Sequence, residues 1–373
     1  MYFKTEHLSV GYSGKILIHD INLAVERGKI MTLIGPNGSG KSTILKTITM
    51  HLEKIAGVVI LDNRNMAKLG SKEIAKRLSV MLTERVTPEL MTCGQVAAMG
   101  RYPYTNYFGR LTAEDKRIVE EALRMVNALE LADRPFADIS DGQRQRIMLA
   151  RAISQEPEMI VLDEPTSYLD IRHKIELLDI LRRMSVEKQV AVLLSLHEID
   201  LAAKVSDYVI CVKGDRIEAA GTPEEVFSDE RVRELYEIKS GSFNTLLGSV
   251  ELAAPEGEAS VFVLAGEGKG IPVYRLLQKK KRAFTTGILF ENDVDYQVAA
   301  ALAARVVSAK AFSTLGDYEL EEAKRLIDGA EFVIDAGTAI GEQNRRIVEL
   351  QDYIVQKGKR CLTSSEVLGK EMF

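Results

Sequence analysis

Three cysteines in 373 residues, Cys93, Cys211 and Cys361, are too few and too scattered to suggest a disulfide framework or a zinc site. Basic charge is not in excess either. The chain carries 49 Lys and Arg against 54 Asp and Glu, a formal charge of −5, which argues against sequence-independent nucleic-acid binding. No apolar run approaches the roughly 18 residues needed to span a bilayer. The longest, such as Val190-Ala191-Val192-Leu193-Leu194, have the length of buried strands. The start, Met1 to Glu6, lacks the basic-then-apolar pattern of a signal peptide. There is no internal repeat and no low-complexity tract. These absences predict a cytosolic globular protein, and 46% hydrophobic with 28% charged residues is ordinary for one. The length allows two domains, each with its own core.

What is present is more specific. Gly35-Pro36-Asn37-Gly38-Ser39-Gly40-Lys41-Ser42 follows the apolar run Ile30 to Ile34 and opens a helical segment, Thr43 to Met50. Strand, glycine loop, lysine-serine and helix form the phosphate-binding P-loop in the context it requires. Glycines let backbone amides curl around an anion, and the helix N-terminus adds partial positive charge. Lys41 can reach the β- and γ-phosphates of a nucleotide, and the Ser42 hydroxyl can hold Mg²⁺. Thr43 continues the same turn.

Apolar runs of strand length alternate with helix-length periodic segments, which predicts an α/β chain with a mainly parallel sheet. Ile30–Ile34, Met159–Asp163 and Val190–Leu196 read as central strands buried on both faces. A more helical stretch, about 87–155, lies between the first two. Within it Thr112-Ala113-Glu114-Asp115 reads as a helix cap ahead of Ile118, Val119, Ala122, Leu123 and Val126. At residues 251–260 the texture turns acidic, small and Pro/Gly-bearing, as in a linker. A second α/β pattern follows over 261–373, with strands expected at Val261 to Gly266, Ala283 to Leu289 and Phe332 to Asp335. Helical segments are expected near 297–304 and 318–327. The division predicted is therefore 1–250, a linker, and 261–373.

Met159 to Pro165 is an apolar strand ending in two carboxylates with separable tasks. Asp163 can hold Mg²⁺ through water, and Glu164 can polarise an attacking water. Upstream, Ile139-Ser140-Asp141-Gly142-Gln143 precedes the helical run Arg144 to Ile153. Downstream come Ser167-Tyr168-Leu169-Asp170 and Ser195-Leu196-His197.

This ordered set resembles the ATP-binding-cassette (ABC) family. The resemblance implies a P-loop NTPase cassette, with a mixed sheet core and a helical subdomain, and the cofactors ATP and Mg²⁺. It also implies a second cassette, docked head to tail, whose signature segment caps the γ-phosphate. Ser140, Gly142 and Gln143 match that signature, usually Leu-Ser-Gly-Gly-Gln, while Ile139 and Asp141 depart from it. Asp141 sets a carboxylate near a phosphate, and altered capping is expected. Asp170 matches the D-loop aspartate, and His197 the switch histidine that contacts the γ-phosphate. Tyr12, in Gly11-Tyr12-Ser13-Gly14, stands where the family stacks an aromatic ring on adenine. The glutamine that normally follows the strand near Ser79–Leu82 is replaced by Thr83, a shorter oxygen donor, with Glu84 beside it. Gln95 is too far along to substitute.

Gly100-Arg101-Tyr102-Pro103-Tyr104 and Thr166 to His173 are similar to segments of importer cassettes for ferric siderophores, haem and cobalamin. That likeness covers residues 1 to about 250. It implies permease subunits, an extracytoplasmic substrate-binding protein acting indirectly, and a peripheral place on the cytoplasmic face of the membrane. Tyr102, Tyr104, Tyr107 and Phe108 either form part of a docking surface or close the subdomain's own core. Two other readings stay open: a soluble ABC ATPase without a permease, and a ligand-sensing regulator with a slow cassette switch.

The C-terminal region looks similar to an extra Rossmann-like domain fused to some cobalamin or iron-complex cassettes. Gly266-Glu267-Gly268-Lys269-Gly270 follows a strand but lacks the dinucleotide spacing, so turn chemistry is as good a reading as ligand binding. Glu291, Asp293, Asp295 and Asp335 fall near strand ends, where open α/β sheets bind ligands. Most are expected to be solvated turn residues. A regulatory, ligand-sensing role is the expectation for this domain.

Overall fold

The computed structural model describes residues 1–82, 88, 90–106, 108–244 and 248–369. The chain divides into two compact units, Met1–Arg231 and Val232–Phe373.

The first unit holds two sheets. Strands β1 (Phe3–Tyr12), β2 (Lys15–Ile21), β3 (Ala24–Val25), β5 (Ala56–Leu61) and β6 (Arg64–Asn65) form an antiparallel sheet, in which β1 pairs with β2, β3 and β5. The second sheet contains β4 (Ile30–Ile34), β7 (Leu78–Met81), β8 (Met159–Leu162), β9 (Ala191–Ser195), β10 (Tyr208–Lys213) and β11 (Arg216–Gly221), in the order β11-β10-β4-β9-β8-β7. Its pairs are parallel except β10 with β11. β4, β8 and β9 are buried along their whole length, as their uninterrupted apolar runs require of strands covered on both faces.

Between β7 and β8 the long elements are helices, at Cys93–Ala98, Ala113–Met125 and Asp141–Ser154. The second starts at a reciprocal cap: the Asp115 amide donates to Thr112 Oγ1 (3.1 Å) and the Thr112 amide to Asp115 Oδ2 (2.9 Å). Ile118, Val119, Ala122 and Leu123 form its buried stripe. Gln95 sits in the first helix, capping it through its side chain. The aromatic segment divides. Tyr104 is tied to its own subdomain: its hydroxyl donates to Gln155 O (3.0 Å), and the Arg101 guanidinium lies 4.1 Å from its ring centre. Tyr102 and Phe108 are exposed, and Tyr107 lies outside the described residues.

The second unit contains a hairpin, β12 (Ser242–Asn244) with β13 (Ser249–Glu251), and a five-stranded sheet. The sheet comprises β14 (Val261–Leu264), β15 (Phe284–Phe290), β16 (Arg305–Ala309), β17 (Phe332–Asp335) and β18 (Arg360–Thr363). All neighbours are parallel, in the order β16-β15-β14-β17-β18. Counted within the unit this is 3-2-1-4-5, the order of a doubly wound Rossmann-type sheet. The break between units falls upstream of the composition change at 251–260. The hairpin belongs with the second unit: Asn244 Nδ2 donates to Gln297 O (3.2 Å), and the nearly buried Glu251 carboxylate pairs with Arg275 (2.5 Å). No helix among the described residues is long and apolar enough to cross a membrane.

Candidate functional site

β4 ends at Ile34, and the chain turns through Gly35 to Gly40 into the helix Lys41–Ile48. Two positions demand glycine. Gly35 has φ +154°, and a Cβ there would lie 2.2 Å from Val212 O. Gly40 has φ +94°, and a Cβ would lie 2.6 Å from Ile18 Cδ1. Lys41 bends back over the loop, its Nζ donating to Gly35 O (2.7 Å) and Pro36 O (3.0 Å). Burial pulls the Lys41 pKa below its ordinary value, while Glu164 and Asp163 oppose that pull. Ser39 Oγ is buried with no hydrogen-bond partner among the described residues. An unpaired buried hydroxyl costs free energy unless a ligand oxygen completes it, so this loop fits a phosphate.

A cavity of about 390 Å³ opens over the loop, lined by Leu17, Asn37, Gly38, Gly40, Lys41, Ser42, Thr43, Glu164 and His197. Glu164 arrives there from the end of β8 in a left-handed conformation, φ +50°, uncommon for a non-glycine residue. Three groups hold it. Its amide donates to Ser195 Oγ (2.8 Å), its Oε2 accepts from Ser167 Oγ (3.3 Å), and its Oε1 lies 2.6 Å from His197 Nε2. Asp163 is buried just behind, accepting a hydrogen bond from Ser195 Oγ at 2.7 Å.

Of the residues singled out in the sequence, Asn37, Gly38, Gly40, Lys41, Ser42, Thr43, Glu164 and His197 share the cavity wall. Tyr12 does not line it, but its hydroxyl lies 3.3 Å from Thr43 Oγ1 and its ring is half exposed beside the P-loop helix. Ser140, Gly142, Gln143 and Asp170 do not line it either. Ser140 and Gln143 cap the helix Asp141–Ser154 reciprocally, the Gln143 amide donating to Ser140 Oγ (3.3 Å) and the Ser140 amide to Gln143 Oε1 (3.0 Å). Gly142 faces Tyr168 O, 3.5 Å from where a Cβ would be, so signature and D-loop adjoin each other. Gln145 Nε2 donates to Pro165 O (3.0 Å), linking the signature helix to the segment after Glu164. Asp141 is paired with Arg144 at 3.2 Å. Asp170 caps the helix Ile171–Lys188 by accepting from the His173 amide (2.9 Å), the main cause of its lowered pKa, and His173 Nδ1 lies 2.8 Å from the same oxygen. Thr83 and Glu84 lie outside the described residues.

Two residues escaped sequence reasoning. Leu17 closes one side of the cavity; the available signal was its exposed apolar side chain next to Ile16 in a short strand. Ser195 is fully buried and bonds to both Asp163 and Glu164. Its signal was a lone hydroxyl closing an all-apolar strand.

The ABC transporter family matches residues 18–167, and the MJ0874 family matches residues 284–371. An uncharacterized ABC transporter ATP-binding protein of Methanocaldococcus jannaschii is 46% identical over 77% of this chain and 99% of its own length. The iron(3+)-hydroxamate import ATP-binding protein of Bacillus subtilis is 38% identical over 63% of this chain and 87% of its own. A cobalamin import ATP-binding protein of Halobacterium salinarum is 29% identical over 88% of this chain and 83% of its own.

Proposed function

The chain belongs to the ABC transporter family of ATP-binding proteins, and we propose that it powers an importer for a metal chelate, a ferric siderophore, haem or cobalamin. It is an ATPase. The observation that carries the hydrolytic reading is the Glu164–His197 pair on the wall of the P-loop cavity. A carboxylate held at the end of a strand, beside an imidazole and opposite a phosphate cradle, can orient a water for in-line attack on the γ-phosphorus. The left-handed backbone at Glu164 and its contacts to Ser195, Ser167 and His197 fix the carboxylate before substrate arrives. Lys41 and the loop amides stabilise charge that develops on the phosphate oxygens.

Mg²⁺ fits the donors present. Among the described residues no cluster of three His, Cys, Asp or Glu could hold a metal unaided, and Mg²⁺ characteristically takes one or two protein oxygens plus substrate phosphates. Ser42 and Asp163 would hold it, and it would neutralise charge on the β- and γ-phosphates.

Ser140, Gly142, Gln143 and Asp170 stay off the wall of their own chain's cavity, which leaves them to serve the nucleotide of a second copy. Permease subunits, an extracytoplasmic binding protein and a peripheral position on the cytoplasmic face complete the proposal. It draws on the names of the Bacillus and Halobacterium relatives and on the importer-like segments at Gly100–Tyr104 and Thr166–His173. The test is a mild-detergent pull-down of the Glu164→Gln variant with ATP from its native cells. A multi-spanning permease in the eluate, with bound iron chelate or corrin, is the expected result. Ribosomal or DNA-repair partners with no membrane protein would overturn the importer reading.

A further inference from the structure

The second unit has its own cavity, of about 510 Å³, within the range of small-molecule sites. It lies past the carboxyl ends of β14, β15 and β17, between the loop after β14 and the loop after β17. In the order 3-2-1-4-5 these are strands 1 and 4, where successive connections leave in opposite directions and open α/β sheets form their binding crevice. The crevice is narrow at Gly266, where a Cβ would come within 3.0 Å of Thr338 Cγ2 and 3.5 Å of Asp293 Oδ2.

In a dinucleotide-binding sheet the amides of the first loop hold a pyrophosphate. Here they are already used. Asp295 is wholly buried; its Oδ2 accepts from the Gly270 amide (3.0 Å), its Oδ1 from the Ile271 amide (3.0 Å), and it also accepts from the Gly268 amide. Asp293 Oδ2 accepts from the Glu267 amide at 2.9 Å. Lys269 is engaged too, its Nζ donating to Gly337 O (2.8 Å) and lying 3.1 Å from the Glu267 carboxylate. Asp295 is thus an exception to the expectation that most of these acidic residues are solvated turn residues: it is an internal carboxylate seated where a phosphate would go.

The wall has a definite chemistry. Glu267, Asp293 and Glu342 place carboxylates on it, Glu267 with the Lys269 ammonium 3.1 Å away, and among the described residues no Lys or Arg lines the cavity. Ile288, Phe290 and Ile347 give it an apolar floor. On the loop after β17, Thr338 Oγ1 is buried with no hydrogen-bond partner among the described residues, and the side chains of Glu342 and Gln343 make no hydrogen bond to any of them. Such a wall repels anions, accepts hydrogen bonds from hydroxyl or amino groups, and offers apolar area to a flat ring.

We propose that the crevice between β14 and β17 binds a phosphate-free nucleoside, its ring on the Phe290 side and its donor groups on the carboxylates and Thr338. The second unit therefore has the strand order of a dinucleotide-binding sheet but discriminates against phosphate.

Equilibrium dialysis of the full chain with radiolabelled adenosine, in saturating MgATP to fill the cassette, tests this. Saturable binding of one adenosine per chain is expected, with AMP and NAD competing at least about tenfold less well because their phosphates meet the carboxylate wall. Gly266→Val narrows the crevice and Glu342→Lys alters its charge from the exposed rim. Each should weaken adenosine binding by about tenfold or more, leaving MgATP turnover unchanged. No saturable adenosine binding, AMP or NAD competing as well as adenosine, or wild-type affinity in both variants would overturn the proposal.

Discussion

His197 Nε2 and Glu164 Oε1 are 2.6 Å apart, and both face the P-loop cavity from the ends of neighbouring parallel strands. The pair joins the proposed water-orienting carboxylate to a group that can also contact the γ-phosphate, so the two residues should fail differently. Glu164→Gln keeps the shape of the site and removes the base, and should lower kcat by about 10²–10⁴-fold with nucleotide affinity retained. His197→Ala frees the carboxylate to rotate and should lower kcat by about tenfold or more. Single-turnover hydrolysis alongside nucleotide binding separates these outcomes. Turnover within about twofold of wild type for Glu164→Gln would remove Glu164 from the chemistry.

Ser195 makes a different kind of prediction, because its hydroxyl serves both carboxylate-bearing residues at once. It donates to Asp163 Oδ1 (2.7 Å) and accepts from the Glu164 amide (2.8 Å), in a wholly buried position. Ser195→Ala takes one hydrogen bond from the buried Asp163 carboxylate and the acceptor from the partly buried Glu164 amide, which should cost about 1–3 kcal/mol of stability. It should also lower kcat more than it raises KM for ATP, since the Glu164 backbone loses one of its constraints. Ser195→Thr, which keeps the hydroxyl, should recover much of kcat if the pocket admits the methyl group. Thermal unfolding and steady-state kinetics on the two variants check this, and a stability loss with unchanged kcat would assign Ser195 to folding alone.

The contrast between these residues shows what the sequence could disclose. That the P-loop, Glu164 and His197 would meet at one cavity was legible because phosphate chemistry needs fixed residue types at fixed spacing, next to strands whose apolar runs announce burial. The Thr112–Asp115 cap was legible because it is local. Ser195, Leu17 and Asp295 were not, since each acts through partners brought close by the fold: Ser195 bonds residues 32 and 31 positions away, and Asp295 caps a loop 25 positions upstream. The division at Arg231 and Val232 depends on contacts of the same kind. Residues 251–260 have the composition of a linker, yet the hairpin before them is anchored to Gln297 and Arg275.

Asp141 in the signature has a counter-ion the sequence reading did not assign. Arg144 Nη1 is 3.2 Å from Asp141 Oδ1, while Arg144 Nη2 donates to Ala137 O at 2.7 Å, which fixes the guanidinium over the start of the helix. In the proposed pairing of two copies, the positive group would offset a carboxylate that otherwise opposes the partner copy's γ-phosphate. Both side chains are partly exposed, so the pair is worth at most about 1 kcal/mol, or about fivefold in an equilibrium. Arg144→Ala should raise KM for ATP by up to that factor, more at low salt than at high salt. Asp141→Gly in the same chain should reverse the effect, and failure of that rescue would mean Arg144 acts through Ala137 instead.

Asp295 gives the second unit a pH dependence whose sign follows from its surroundings. Burial raises its pKa above the ordinary aspartate value and Asp293 adds to the rise, while the amides of Gly270, Ile271 and Gly268 oppose it without cancelling it. The folded chain therefore binds this proton more tightly than the unfolded chain. Where folded protein holds more protons, stability falls as pH rises, so the second unit should weaken from the ordinary aspartate range near about pH 4 upward through the raised value. Asp295→Asn removes the titrating group and should flatten this slope, although the loss of a carboxylate oxygen from the Gly270 and Ile271 amides lowers stability at every pH. Hydrogen exchange of the segments Val261–Leu264 and Ile271–Lys279, corrected for intrinsic rates, reads this unit separately from the cassette. Protection that declines with pH in the parent chain and stays level in the variant is expected. A level profile in both would show that the buried carboxylate carries the same charge at every pH sampled.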